Sequence, residues 1–489
     1  MRIHLIGVGG VAMGNLAAML RQSGHTVTGS DHELYPPMSD RLREWGIEAL
    51  PFDARNLDRA DLIVLGNAIS RGNAELEHLL ANSLPCLSMP AALYEFFLKR
   101  KNVIVVAGTH GKTTTTFLID HILATAGHAP GLFVGGVRAD GHAGFRVSDS
   151  PFFVVEGDEY DSAIFDKGPK FLHYRPRYLV LTSVEFDHAD IYSDLEHYKR
   201  SFRHLVRTIP GNGMIAADLS DEGVRSVLSG YSLAPVEWYC DANRAEEFRG
   251  GLERSGTPSS SIATFERNGR RVDFSFPGTV EPFALLGAHN TANALGAALV
   301  ARAAGTPPRR VAEALESFPG VLRRQQIRVD LAAADGYGAL TLIEDFAHHP
   351  TAVSATIEAV REAYPGRRLH ALFEPRSASS HRNVFQERYA DAFDRADAVY
   401  LTDIHNPGKV AAGERLDVPA LCRAIESQES GAGRKSVTYA GDPAELLGRF
   451  RAAFERSSAG DVVLAMSNGA FGGIYPELEA FLRSTGAAQ

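Results

Sequence analysis

Five consecutive apolar residues, Val103 to Ala107, run directly into Gly108-Thr109-His110-Gly111-Lys112-Thr113-Thr114. A buried strand that breaks at glycine and resumes as a helix leaves a row of backbone N–H groups at the positive end of that helix, a geometry that holds phosphate oxygens. Lys112 is then placed to reach the outer phosphates, and the Thr113 hydroxyl to ligate magnesium. The run lacks the first glycine of the full G-x-x-x-x-G-K-[ST] pattern, because Val106 stands there. A plain glycine turn is the competing reading. The strand–turn–helix context favours the phosphate loop, and with it an open, mostly parallel α/β sheet.

A chain of 489 residues exceeds what one core supports and implies about three domains. With 45% apolar and 22% charged residues it has the composition of an ordinary globular protein. Its longest apolar stretches fall far short of the roughly 18 residues that span a bilayer, so no membrane contact is expected. The net charge of −9, from 50 basic and 59 acidic residues, argues against nucleic acid as a partner. Cys86, Cys240 and Cys422 form neither a disulfide framework nor a metal motif, which points to a reducing, cytoplasmic setting. The opening MRIHLIGVGG reads as a strand and turn rather than a signal peptide.

Short β-rich runs alternate with amphipathic stretches from the start: IHLIGV, a helix from about Met13 to Ser23, HTVTGSD and DLIVLGN. A second series begins near residue 101. A third follows the Pro319-Gly320 break with LTLIEDFAHHP, RLHALFEP, AVYLTDI and DVVLAMSNGAFGG. The expected domains are therefore 1–100, 101–319 and 320–489. RNGRRVDFSF and the preceding SGTPSSSIATFE read as a hairpin elaboration.

Glu156 comes first after the apolar run PFFVV, and His188 follows RYLVLTSVE, so both are candidates for one crevice with the phosphate loop. Glu156, Asp158, Glu159 and Asp161 crowd one strand end, and a solvated loop would account for most of them. For His188 taken alone, a structural core histidine is favoured over a ligand by about two to one. At the N-terminus Gly7, Gly9, Gly10 and Gly14 follow the first strand, and Asp31 closes the second, an imperfect dinucleotide fingerprint that supports a pyrophosphate ligand.

With these residues in view, the chain resembles the Mur ligase family over essentially its whole length. The resemblance rests on AGTHGKTTT, the Glu156 strand end, His188, LLGAHNTANALGA, the Arg323-Arg324 turn and EDFAHHPTA. Longer strings, GSDHELYPPMS, LGNAISRGN, EGDEYDSAIFDKGPKFLHYRPR, EFDHADIY, FEPRS and MSNGAFGG, resemble the branch that joins a murein tripeptide to UDP-N-acetylmuramate in peptidoglycan recycling. The fold so implied is α/β with three domains: a Rossmann-like UDP-binding domain, a central P-loop ATPase domain and a C-terminal Rossmann-like acceptor domain. ATP and Mg2+ are the implied cofactors, and UDP-N-acetylmuramate and the tripeptide L-Ala-γ-D-Glu-meso-diaminopimelate the partners.

The resemblance also implies roles for residues. Lys112, Glu156 and His188 are catalytic, and Thr113, Glu156 and His188 hold metal. Gly108, Thr109, His110, Gly111, Lys112, Thr113, Thr114, Asn290, Asn293, Arg324 and Asp345 bind nucleotide. Gly9, Gly10, Asp31 and Asn67 bind the UDP substrate, and Arg376, with Arg382 nearby, faces acceptor carboxylates. Arg203 stands where several relatives carry a carbamylated lysine, and Glu374-Pro375-Arg376-Ser377 where one relative has Asp-Asn-Pro-Arg. For His348 and His349, helix capping and catalysis remain equal alternatives. Two other functions compete: ligation of free L-alanine to the same sugar nucleotide, and an NAD-dependent oxidoreductase or regulatory module read from the N-terminal glycines alone.

Overall fold

The computed structural model describes residues 1–248, 262–334, 336–430 and 433–486. It is mixed α/β and divides into two compact units, the main boundary falling between Pro319 and Gly320. The first unit holds Met1–Glu185, Asp194–Phe283 and Ala292–Pro319; the second holds Phe186–Ser193, Ala284–Thr291 and Gly320–Gln489.

Within the first unit, strands Arg2–Ile6, Thr26–Ser30, Glu48–Leu50, Leu62–Leu65 and Cys86–Ser88 form a parallel sheet. Arg2–Ile6 lies between Thr26–Ser30 and Leu62–Leu65. The chain therefore crosses over on opposite sides of the first strand, and the crevice at such a switch point is where open sheets bind ligands. The loops beginning at Gly7 and Gly66 flank it. Helix Val11–Gln22 buries Met13 through Leu20, an almost continuous apolar run, as cover for a parallel sheet requires.

The unit's second sheet is centred on Asn102–Ala107, which pairs in parallel with Phe152–Gly157 on one side and Tyr178–Leu181 on the other. Val103 to Ala107 are at most 2% exposed, because a central parallel strand is covered on both faces. The sheet continues through Met214–Asp218 and Val236–Asp241 to Ala263–Asn268, which turns back antiparallel on Arg271–Phe274. That hairpin was expected from RNGRRVDFSF. Residues 255–261 of the stretch before it lie outside the described residues.

In the second unit the parallel strands run in the order Leu340–Asp345, Asp461–Met466, Arg368–Phe373, Ala398–Thr402 and Ser436–Ala440, with Gln326–Leu331 antiparallel at the edge. One face packs on helices Pro350–Ala363, Gln386–Ala392 and Val418–Ser427. The other packs on Pro443–Ala453 and Tyr475–Gly486. No helix among the described residues is long and apolar enough to cross a membrane.

Asp218 closes its strand in a protected position, and burial raises its carboxyl to about 7, against the opposing pull of the Ser220 N–H 2.8 Å away. An unfolded aspartate titrates near 3.9, so between about pH 4 and pH 7 the native state holds the extra proton, and stability falls as pH rises through that window. Asp218→Asn should remove this slope. Its melting temperature is expected to exceed that of the wild type by on the order of 2 °C at about pH 8 and to match it at about pH 4; thermal scans at the two pH values check this.

Candidate functional site

Glycine is required at both ends of the phosphate loop. Gly108 has φ +139° and Gly111 φ +79°, conformations that a residue with a Cβ rarely adopts. Space forbids a side chain as well: a Cβ on Gly108 would lie 2.2 Å from the Thr182 hydroxyl, and one on Gly111 2.4 Å from Asn293 Oδ1. The loop then enters helix Lys112–Thr125, whose first N–H groups face the turn.

A second segment, Thr182 to Glu185, clamps this loop. The Thr109 N–H donates to the Ser183 carbonyl (2.9 Å), the His110 N–H to Ser183 Oγ (3.0 Å), and Thr182 Oγ1 to the His110 carbonyl (2.5 Å). Thr109 Oγ1 donates to the Glu185 carbonyl (3.0 Å), and His110 Nε2 lies 2.6 Å from Glu185 Oε1. Thr109 and Thr114, like Thr113, are buried. The Asp221 carboxylate anchors the clamp in turn, accepting from the Val184 N–H at 3.1 Å.

Lys112 Nζ spans the loop, donating to the Gly108 carbonyl (2.6 Å), the Thr109 carbonyl (3.2 Å) and Glu159 Oε1 (2.9 Å). Burial pulls the ammonium's pKa down, but Glu159, with Glu156 and Asp158 behind it, more than reverses this, and Lys112 stays cationic. Thr113 Oγ1 donates to Glu156 Oε1 (2.6 Å), and the other oxygen of Glu156 accepts from the Gly135 N–H (2.8 Å). A threonine hydroxyl beside a carboxylate at a helix N-terminus offers the hard oxygen donors that magnesium prefers. Asn293, on helix Ala288–Ala303, lies against Gly111 and joins the same edge.

The solvated-loop reading of the acidic cluster fails for Glu159. Its residue is 1% exposed, its carboxylate pairs with Lys112, and Tyr198 donates to it at 3.3 Å. Asp158 is likewise held by Lys170, at 2.6 Å. Glu185 and the Thr182–Ser183 clamp went unrecognised in the sequence. Their only signal was position, directly after the strand next to the phosphate-loop strand.

Around the N-terminal glycines, Asp31 Oδ2 accepts from the Gly9 N–H (2.8 Å), and Gly7 and Val8 donate to the Ser30 carbonyl (2.8 and 3.0 Å). A Cβ on Gly9 would lie 2.8 Å from both Asp31 Oδ2 and Leu34 Cδ2, whereas one on Gly10 would meet the Gly7 carbonyl oxygen at an ordinary 3.9 Å. Asn67 is exposed on the loop after Leu62–Leu65.

The remaining expected residues belong to the second unit. His188, at φ +52°, has Nε2 3.9 Å from Asp187 Oδ2. Burial opposes ionisation of Asp187, but His188, His348, His349 and the Ser379 hydroxyl hold its carboxyl well below the usual range. Asn290 donates to the Leu286 carbonyl (2.9 Å) and Gln325 Oε1 (3.1 Å). Arg324 stacks 4.4 Å from the Phe346 ring centre, and the Asp345 oxygens accept from the Gln325 (2.8 Å) and Ala347 (2.7 Å) N–H groups. Arg376 lies over Gly469 and 3.6 Å from Glu374, so FEPRS and MSNGAFGG meet in space. Arg382 is committed to Glu414 at 2.6 Å.

His349 is the N-cap of helix Pro350–Ala363: Nδ1 accepts from the Thr351 N–H (3.4 Å), which leaves Nε2 as the donor to the Phe186 carbonyl (3.2 Å). The capping role fits it. Arg203 pairs with Glu196 on its own helix and packs 5.3 Å from the Tyr231 ring centre.

Comparison with known proteins agrees with this architecture. Residues 2–101 match the Mur ligase family, catalytic domain; 106–301 the Mur ligase middle domain; and 327–469 the Mur ligase, glutamate ligase domain. The chain is 38% identical to the Escherichia coli (strain K12) UDP-N-acetylmuramate–L-alanyl-γ-D-glutamyl-meso-2,6-diaminoheptandioate ligase, covering 100% of both proteins. It is 31% identical to the Burkholderia multivorans UDP-N-acetylmuramate–L-alanine ligase over 96% of each. Among solved structures, a murein peptide ligase from Psychrobacter arcticus 273-4 superposes with a TM-score of 0.67 at 31% identity, covering 100% of this chain and 99% of that one.

Proposed function

Because the chain belongs to the Mur ligase family, we propose that it joins the α-amine of L-Ala-γ-D-Glu-meso-diaminopimelate to the lactyl carboxylate of UDP-N-acetylmuramate, with hydrolysis of ATP to ADP and phosphate. The observation that carries the acceptor assignment is the 38% identity, end to end, to a ligase of that name. The reaction belongs to peptidoglycan recycling. ATP supply and three free thiols, Cys86, Cys240 and Cys422, fit the cytoplasm. We take 1–100 as the UDP-binding domain, 101–319 as the ATPase domain and 320–489 as the acceptor domain.

In the first step a lactyl carboxylate oxygen attacks the γ-phosphorus and ADP departs, leaving an acyl phosphate. In the second, the tripeptide amine attacks the acyl carbon, a tetrahedral adduct forms, and phosphate leaves as the amine loses its proton. Both reactants of the first step are anions, so the chain must first neutralise charge. Lys112, with the loop N–H groups, serves that end at the transferring phosphoryl group. Mg2+, held by Thr113, Glu156 and His188, would supply further neutralisation. Asn290, Asn293, Arg324 and Asp345 hold the nucleotide, and Gly9, Gly10, Asp31 and Asn67 the uridine diphosphate.

The test is tripeptide-dependent release of phosphate from ATP and UDP-N-acetylmuramate, with the amide product identified by mass. Failure of the tripeptide to stimulate release would overturn the reading. For the metal, Glu156→Ala and His188→Ala are each expected to raise the magnesium concentration at half-maximal rate and to lower kcat by about 10- to 100-fold, with the fold kept. If His188→Ala instead lowered the melting temperature with magnesium dependence unchanged, His188 would be a structural residue.

A further inference from the structure

Glu75, on helix Ala74–Ala81 beside the first sheet of the first unit, is fully buried, with 0% of its surface exposed. Burying a carboxylate is expensive unless its oxygens are satisfied, and these are. Oε2 accepts from the Ser30 hydroxyl and lies 3.7 Å from His4 Nε2. Oε1 accepts from Asn56 Nδ2 (2.6 Å) and the Asp53 N–H (3.2 Å). Burial pushes the carboxyl up, but these donors outweigh it and hold Glu75 below its ordinary range.

The donors are distributed with a purpose. His4 Nδ1 lies 2.9 Å from Thr28 Oγ1 and Nε2 3.2 Å from Ser30 Oγ. Since Ser30 gives its hydrogen to Glu75, its Oγ accepts from His4 Nε2–H, which makes Nδ1 the acceptor for Thr28. Ser30 is the last residue of its strand; its carbonyl holds the Gly7 and Val8 N–H groups, and its neighbour Asp31 holds that of Gly9. Glu75 itself opens helix Ala74–Ala81, the element after the Asn67 loop, with its N–H bonded to the Asn73 cap (3.0 Å). One carboxylate thus ties together the glycine loop, Asp31, the 53–56 turn and the helix that follows Asn67, all at the carboxyl edge of the sheet.

We propose that Glu75 is the positioning residue for the uridine-diphosphate end of the donor substrate, setting the glycine loop and Asp31 through Ser30. The proposal rests on the donor assignment above. Glu75 is fully buried and acts through the Ser30 hydroxyl, so its signature is a change confined to one substrate.

The experiment uses the full-length enzyme with Glu75→Gln, which keeps the shape and removes the charge, and Ser30→Ala, which cuts the link and keeps Glu75. For each, KM for UDP-N-acetylmuramate, KM for ATP, kcat and the calorimetric Kd for UDP are measured. The expected result is a rise of about 10-fold in the donor KM and the UDP Kd, with kcat and the ATP KM within about twofold. Should Glu75→Gln fail to fold, Ser30→Ala alone must show the same split. A lowered melting temperature with the donor KM unchanged, or an equal loss in every parameter, would overturn the proposal. A wild-type enzyme that binds no UDP would overturn the donor assignment itself, and the two failures are thereby distinguished.

Discussion

Lys112→Ala is expected to lower kcat for ATP-dependent ligation by about a thousandfold while UDP-N-acetylmuramate still binds. The ammonium is the loop's own charge, held cationic by Glu159, Glu156 and Asp158, and it reaches across the turn formed by Gly108 and Thr109. Its loss removes an interaction that grows as negative charge builds on the transferring phosphoryl group, so the effect falls on kcat. There is a structural consequence too. Glu159 is 1% exposed, and without Lys112 it is left as a buried anion, a loss of about 3 kcal/mol or more. The double variant Lys112→Ala/Glu159→Gln neutralises that anion. It should recover most of the melting temperature and none of the activity, which separates charge in catalysis from charge in folding. Near wild-type turnover in folded Lys112→Ala would remove the phosphate-loop assignment.

The strand, glycine turn and helix start were legible because everything they need is local: a buried strand that runs directly into two glycines, a lysine and a threonine. The same holds for the α/β class, since strand and helix periodicities are short-range. Glu159 was not legible. A run of four carboxylates at a strand end has the same sequence whether water or protein covers it, and the cover comes from Lys112 and from Tyr198, 39 residues away. Asn290 and Asn293 share a motif and one helix, yet Asn293 lies against Gly111 while Asn290 bonds Leu286 and Gln325. Composition cannot divide them; only the packing of the helix ends does. Glu75 is the extreme case. NAELEHLL reads as an ordinary acidic helix start, which the macrodipole favours, and only Ser30, 45 residues earlier in the chain, reveals the carboxylate as buried.

The tripeptide should be used at least about 100-fold better than free L-alanine, measured as kcat/KM. Both acceptors present the same L-alanyl amine, so discrimination must come from the rest of the peptide, which carries extra carboxylates. In a chain of net charge −9 those anions can be met only by local cations. Arg382 was one expected cation, but its bond to Glu414 commits it. Arg376 is better placed: partly exposed, packed over Gly469, and 3.6 Å from Glu374, a contact longer than a direct hydrogen bond. Glu374 is drawn away by Ser467, whose hydroxyl donates to its other oxygen at 2.5 Å. A guanidinium packed over a glycine can present its remaining N–H groups to a carboxylate, a pairing of about 1.5 to 3 kcal/mol. Arg376→Ala should therefore reduce kcat/KM for the tripeptide by about 10- to 150-fold and leave the slow reaction with L-alanine nearly unchanged. Because binding energy from the remote end also aligns the amine with the acyl phosphate, part of that loss should fall on kcat. An L-alanine kcat/KM equal to or above that of the tripeptide would reverse the assignment, in favour of the alanine-adding ligases to which the chain is 31% identical.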